Sequence, residues 1–255
     1  MSAVEALCIL LAGVAAGTIN TIVGSGTLIT FPTLLFFGYP PVVANVSNTV
    51  GLVAGGVTGV HGYRRELRGS LGTLRRLVPM SFLGAVIGAL LLLVLPPEAF
   101  EAIVPALIAL GLLLVILGPR LQAAAGARHS DAIVAWHQPV MMAGVLVAGV
   151  YGGYFGAAQG VILIGLLSAL SAEPLQRLNG YKNVLGTVVN AVAAITFMAV
   201  AWDQIDWPAA GLIAVGALAG GYLGSTFGRR LPPSALRAFI IVIGVVAITR
   251  MVWFP

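Results

Sequence analysis

Charged residues are scarce in this chain of 255 residues, in which 13 Lys and Arg and 8 Asp and Glu make up only 8% of the sequence. A soluble globular domain carries roughly a quarter charged residues. The hydrophobic fraction is 59% and the mean hydropathy is +1.04. Because such a chain lacks the polar side chains to cover a water-exposed surface, the composition excludes a soluble enzyme, a nucleic-acid-binding protein and a disordered chain.

Cysteine and the usual catalytic motifs are also missing. The single Cys8 excludes a disulfide framework and a thiolate metal site. The sequence has no HExxH, GxSxG or P-loop motif, and every Asp falls in a predicted loop or in the linker between the two halves. No basic stretch precedes the first apolar run, so we expect no cleaved signal peptide. We therefore expect no enzymatic activity, no metal and no cofactor.

Long apolar runs are what the sequence does contain. They divide it into ten segments, at 4–23, 27–38, 42–61, 77–95 and 99–118, and at 139–157, 160–171, 176–201, 208–228 and 235–254. The second segment of each half has about 12 residues, or ~18 Å of helix, which is too short to cross a bilayer. The pattern predicts an all-α polytopic membrane protein in which the first two segments of each half form a re-entrant hairpin.

The second half of the sequence repeats the first. GTLIT at 26–30 resembles GVILI at 160–164, Asn45 falls on Asn179, and LPP at 95–97 falls on LPP at 231–233. The offset drifts only from about 134 to about 136 residues, as expected of a duplication with small insertions. We predict a first transmembrane repeat over 1–118, a cytoplasmic linker over 119–137 and a second repeat over 138–255.

The positive charges indicate that the two repeats have opposite orientations. Arginines cluster in the loop at 62–76 of the first half, whereas the matching turn of the second half contains Asp203 and Asp206. The next turns show the reverse, with Glu98 and Glu101 in the first half and arginines at 229–230 in the second. Because Lys and Arg accumulate on the cytoplasmic side, the repeats are predicted to be inverted, with three crossings each and both termini outside.

Inverted repeats with paired, interrupted short helices are typical of secondary transporters, whose substrate binds where the broken helices meet. Glycines interrupt both hairpins, and we expect them to serve packing or gating: Gly24, Gly26, Gly156 and Gly160. New helix N-termini near Ser25, Thr27 and Gln159 would present backbone N–H groups to an anion. Asn20 and Tyr154, on the arms of the two hairpins, are further candidates for the cavity wall.

A second polar group follows each hairpin. Its predicted substrate-binding members are Asn45, Ser47 and Asn48 in the first half and Asn179, Lys182 and Asn183 in the second. Amides, hydroxyls and one ammonium suit an oxyanion that needs several donors. Lys182 either faces the substrate or snorkels to the cytoplasmic headgroups. Asn48 and Asn183 either bind substrate or hydrogen-bond between helices.

These motifs resemble the TauE/SafE sulfite-exporter family over essentially the whole chain. The resemblance lies in GSGTLITFP at 24–32 and VANVSNT at 43–49, and in GYFGAAQG at 153–160 and LNGYKNVL at 178–185. It implies a bacterial or archaeal inner-membrane carrier for sulfite, thiosulfate or a sulfonate such as sulfoacetate. The first half has Ser47-Asn48 where the family often has a Lys beside the Asn, so Lys182 would carry the positive charge alone.

We therefore expect a secondary carrier of a small sulfur-containing anion that works by alternating access. An anion channel is the alternative, because the hairpins could also form a filter. Export is favoured, because expelling an anion from a negative-inside cell releases ~2.3 kcal/mol per charge at 100 mV. The lipid bilayer and the anion are the expected partners, nucleic acid is not, and Gly-rich helix faces are compatible with a homodimer.

Overall fold

The computed structural model describes residues 1–126, 137–227 and 233–253, and their regular structure is entirely helical. The helices are α1 (Ala3–Ile22), α2 (Thr27–Phe36), α3 (Pro41–Gly62), α4 (Leu71–Val94), α5 (Pro97–Gly126), α6 (His137–Tyr154), α7 (Gln159–Leu170), α8 (Leu175–Val200), α9 (Trp207–Phe227) and α10 (Pro233–Trp253). One 3-10 turn, Trp202–Gln204, precedes α9. The all-helical fold class predicted from the sequence is thus confirmed. Residues 127–136 of the predicted linker and the arginines at 229–230 lie outside the described residues.

The predicted segments coincide closely with these helices, with two extensions. α4 begins at Leu71 instead of residue 77, and α5 continues to Gly126 instead of ending at 118. In both places the helix runs past the end of the apolar stretch, and the extra turn of α4 carries the exposed Arg75 and Arg76. Hydropathy marks where a helix can lie in lipid, whereas backbone hydrogen bonding decides where it ends.

The first hairpin is formed by α1 and α2. A capping box between Ser2 and Glu5 starts α1, and the break after Ile22 contains Gly24 with φ of +86°. Tyr39, just beyond α2, donates a hydrogen bond to Oε1 of Glu5 at 2.9 Å. Because this bond joins the start of α1 to the loop after α2, both ends of the hairpin lie at the same level.

The second hairpin, α6 and α7, has a more strained break. Gly156 has φ of +78° and the buried Ala158 has φ of +58°, a left-handed conformation that costs a residue with a β-carbon ~1–2 kcal/mol. Tyr151 donates a hydrogen bond to the carbonyl oxygen of Ala157 at 2.7 Å. This bond helps to hold the loop in its unusual conformation.

The two halves interlock. α1 packs most extensively against α9, and α6 packs against α4, so the first helix of each half lies on the fourth helix of the other. Small residues make these contacts close: a β-carbon on Gly17 would lie 2.3 Å from the carbonyl oxygen of Ala217, and one on Gly88 would lie 2.0 Å from that of Val150. The two halves are therefore joined by close helix contacts within the described part of the chain.

Six of the described helices are long and apolar enough to cross a membrane: α1, α3, α4, α5, α8 and α9. α1, predicted from the sequence to be one arm of a non-crossing hairpin, has 20 residues and is long enough to span by itself. α2 and α7 are shorter apolar helices, as is the stretch Ser234–Thr249 within α10. α2 has 10 residues, which at ~1.5 Å per residue reaches about halfway across the hydrocarbon layer.

Candidate functional site

The two helix breaks touch each other. The backbone N–H of Gly160 donates to the carbonyl oxygen of Gly24 at 3.0 Å. A β-carbon on either glycine would lie 2.4 Å from the Cα of the other, so no larger residue fits at either position without a shift of the backbone. The contact brings the interrupted helices of both halves to one point inside the protein.

A small polar cavity lies beside this contact. Its volume is about 20 Å³, enough for about one water molecule. The lining residues come from both breaks and from α3 and α8: Asn20, Thr21, Gly24, Thr27, Gly56, Gly156, Gln159, Gly160, Lys182, Asn183, Gly186, Thr187 and Asn190. Sequence positions more than 150 residues apart thus line one polar cavity.

Lys182 is the only charged residue among those that line this cavity. It is 2% exposed, and its Nζ donates to the carbonyl oxygens of Asn20 at 3.2 Å and Thr21 at 2.9 Å. These carbonyls belong to the last turn of α1, where a helix presents unpaired acceptors and the negative end of its dipole. The ammonium group is therefore held inward by α1, and the snorkelling alternative does not describe its position.

Further residues of α8 line the cavity after Lys182. Asn183 donates through Nδ2 to the carbonyl oxygen of Thr21 at 3.3 Å. Gly186 and Asn190 follow Lys182 at intervals of four residues, and Thr187 follows Asn183 in the same way, so all lie on one face of the helix. Gly56, Gly186 and Thr187 were not among the predicted site residues; for the two on α8, this spacing is the signal that could have identified them.

The helix N-terminus at the second break offers fewer free backbone N–H groups to an anion than the sequence predicts. In the first turn of α7, the N–H groups of Gln159, Gly160 and Val161 already donate to carbonyl oxygens of Gly156, Gly24 and Ala158. Gln159 lines the cavity, and its Nε2 donates to the carbonyl oxygen of Ala148 at 3.1 Å. An anion here would consequently depend on side-chain donors more than on helix N-termini.

Of the predicted site residues, eight line the cavity: Asn20, Gly24, Thr27, Gly156, Gln159, Gly160, Lys182 and Asn183. The other seven lie outside its wall: Ser25, Gly26, Asn45, Ser47, Asn48, Tyr154 and Asn179.

Three of these outlying residues make specific hydrogen bonds. Asn45 donates through Nδ2 to the carbonyl oxygen of Tyr154 at 2.9 Å, at the end of α6. The Oγ of Ser47 accepts a bond from the backbone N–H of Asp206 at 2.8 Å. Asn48 accepts a short hydrogen bond from the hydroxyl of Thr30 in α2. Each bond joins α3 to another part of the chain, and none of the three residues lines the cavity.

The remaining outlying residues are packed close by. Gly26 lies against α1, where a β-carbon would be 2.7 Å from the carbonyl oxygen of Ala16. Asn179 is half-buried near the start of α8, and the ring of Tyr154 packs edge-on against Phe100. The buried Oγ of Ser25 and the hydroxyl of Tyr154 have no hydrogen-bond partner among the described residues.

Within the described part of the chain, no group of three His, Cys, Asp or Glu side chains is placed to hold a metal ion. Apolar crossing helices, two interrupted helices in contact and an enclosed polar cavity define a polytopic membrane protein of the transporter class.

The sequence comparisons give this class a family. Residues 9–251 match the family model of the sulfite exporter TauE/SafE, and the chain belongs to that family. A probable membrane transporter protein of Haemophilus influenzae is 25% identical over 245 residues, covering 94% of this chain and 92% of its own. The probable membrane transporter protein YfcA of Escherichia coli K12 is 24% identical over 238 residues, covering 93% and 86%. No solved structure matches the chain. The resemblance inferred from the sequence motifs is confirmed, and the protein is a membrane transporter.

Proposed function

We propose that this transporter is a secondary carrier of a small sulfur-containing anion, either sulfite or a sulfonate such as sulfoacetate, and that it works by alternating access. The observation that carries this proposal is the ammonium group of Lys182, buried beside a polar cavity where the two helix breaks meet. Charged groups at such depth in a membrane protein are costly and usually functional.

The donor set favours an oxyanion. Lys182 offers three hydrogens and uses two on the carbonyls of Asn20 and Thr21. The amide groups of Asn183 and Asn190 line the same space, whereas the hydroxyl of Thr187 already donates to the carbonyl oxygen of Asn183 at 2.7 Å. Several donors around one positive charge match the three oxygens of a sulfite or sulfonate group.

Alternating access is supported by the packing of the two halves, in which the first helix of each half lies on the fourth helix of the other. α1 lies on α9 as α6 lies on α4, which is the pattern that a duplicated unit related by a two-fold axis would produce. We infer that the repeats are inverted and rock against each other around the contact between Gly24 and Gly160. The cavity of about 20 Å³ must enlarge to admit the anion, as expected of a carrier between its open states.

Location and direction follow from charge. The exposed arginines of the loop at 62–76 favour the cytoplasmic face, so the protein would lie in the inner membrane with both termini outside. The described carboxylates of the spanning helices lie at helix ends, such as Glu5 and Glu98. Because no carboxylate within the cavity could carry a coupling proton, the proposal includes export driven by the membrane potential.

Flux measured in proteoliposomes tests this function. Wild type and Lys182→Ala would be compared with sulfite, sulfoacetate, thiosulfate, sulfate and chloride on the outside. We expect saturable movement of a sulfur anion in the wild type and only background flux in the variant. Chloride passing as readily and without saturation would establish the channel instead, and sulfur-anion flux that survives the mutation would remove Lys182 from the mechanism.

A further inference from the structure

We propose, on the basis of the function proposed above, that the cavity selects anions of a single negative charge. This narrows the substrate proposed above: hydrogensulfite and singly charged sulfonates would bind well, whereas sulfate and, among the sulfonates, the doubly ionised sulfoacetate would bind poorly. The inference rests on the charges that surround the cavity and on the way each of them is balanced.

The positive charge available to a ligand is at most one unit. Lys182 is the sole charged side chain in the cavity wall, and its described contacts are with neutral carbonyl oxygens. Arg177, about one turn earlier on α8, forms an ion pair with Glu173 at 2.7 Å and thus adds no net charge. The end of the α1 dipole, which faces the ammonium, reduces the positive potential further.

A singly charged anion would make this enclosed space electrically neutral, with its oxygens shared between the ammonium and neutral amides. A dianion would leave one negative charge buried without a partner. Because uncompensated charge is costly away from water, the second charge should weaken binding even where the shape fits. Neutral donors such as Asn183 and Asn190 stabilise a second charge less well than a second cation does.

Isethionate and sulfoacetate provide a matched pair, because both are two-carbon sulfonates. Isethionate ends in a neutral hydroxyl group, whereas sulfoacetate ends in an ionised carboxylate. Each would compete with labelled sulfite for uptake into proteoliposomes that contain the full chain, at neutral pH and constant ionic strength. We expect half-inhibition by isethionate at a concentration lower by ~10-fold or more, equivalent to ~1.4 kcal/mol. Equal or stronger inhibition by sulfoacetate would overturn the selectivity while leaving the sulfur-anion carrier intact.

A second cation in the wall should reverse the preference. Asn190→Lys places an additional ammonium on the same face of α8, and Gln176→Lys places one at an exposed position of that helix as the control. The ratio of the two inhibition constants should shift toward sulfoacetate in Asn190→Lys and stay unchanged in Gln176→Lys. If Asn190→Lys fails to fold, Thr187→Lys serves the same purpose.

An unchanged ratio in a folded Asn190→Lys or Thr187→Lys variant would contradict the inference. Wild-type protein that moves no sulfite and binds neither sulfonate would overturn the proposed function itself, and the selectivity would fall with it. The two failures are distinguishable, because only the second abolishes the labelled flux.

Discussion

The two helix breaks occupy equivalent places in the repeated sequence and are supported by different chemistry. At the first break, the last carbonyls of α1 accept hydrogen bonds from the ammonium of Lys182 and the amide of Asn183. At the second break, the last turn of α6 accepts from the neutral amide of Asn45. The same task, capping an interrupted helix with a side chain from the third helix of the other half, is thus done once with a charge and once without.

The surroundings of the two breaks differ accordingly. Residues of both breaks line the polar cavity, whereas aromatic rings pack at the second break. Phe155 contacts Phe31 edge-on, with ring centroids 5.1 Å apart, and also packs against Phe100 at 6.1 Å. A duplicated fold therefore need not contain two equivalent sites, because a buried charge caps the first break whereas aromatic rings pack against the second.

The largest expected effect concerns the glycines of the two breaks. Gly24→Ala should reduce stability by more than ~3 kcal/mol, because it adds a left-handed conformation costing ~1–2 kcal/mol to an overlap with the backbone of Gly160. Gly156→Ala meets only the carbonyl oxygen of Gly152, at 3.0 Å, and should cost about the conformational ~1–2 kcal/mol. Thermal unfolding in detergent would measure both.

Gly38→Ala is the control for this comparison, since Gly38 also has positive φ, at +85°, and has open space where a β-carbon would lie. Its unfolding temperature should resemble that of Gly156→Ala. If Gly24→Ala were no less stable than Gly38→Ala, the close contact between the two breaks would be disproved.

The next prediction compares Lys182, which caps the first break with a charge, with Asn45, which caps the second break with a neutral amide. Lys182→Gln keeps a hydrogen-bond donor and removes the charge, and we expect transport to fall by about 10- to 100-fold, since bonds to charged groups contribute ~1.5–3 kcal/mol. Asn45→Ala should leave transport within about 3-fold of wild type, which corresponds to less than ~1 kcal/mol. Sulfite flux normalised to folded protein is the measurement.

Asn45→Ala should lower the stability of the protein even though it leaves transport nearly unchanged. Loss of the Asn45 amide leaves the carbonyl oxygen of Tyr154 without this donor, at a cost of ~1–3 kcal/mol. A variant that lost transport while keeping its unfolding temperature would place Asn45 in the anion site and would remove the distinction between the two caps.

The sequence predicts those features of the structure that depend on neighbouring residues, and it does not predict those that depend on residues far apart in the chain. The helices follow from apolar runs, and the hairpins follow from short segments after glycines, because both are local patterns. The contact of Gly24 with Gly160 and the partners of Asn45 and Ser47 join positions more than 100 residues apart. No periodicity within one helix contains that information.

The asymmetry of the site was only partly predictable. The sequence predicts Lys182 as a substrate-binding charge and places it near the start of α8. It does not tell whether the group faces headgroups or a cavity, since that depends on where the carbonyls of α1 end. The repeat favoured Asn45, Ser47 and Asn48 as site residues because it implied symmetry. In the structure these residues instead bond to Tyr154, Asp206 and Thr30, outside the cavity wall.

The smallest effect probes a bond that only the second break has. Tyr151 donates to the carbonyl oxygen of Ala157, whereas Gly17, the residue that matches it in the first repeat, has no side chain and packs directly on Ala217. Tyr151→Phe should lower stability by ~0.5–1.5 kcal/mol, the net contribution of a typical hydrogen bond, and leave the sulfite flux unchanged. A loss of flux without a loss of stability would show that the strained loop at Ala158 takes part in transport, so that the uncharged break moves with the charged one instead of serving as its fixed support.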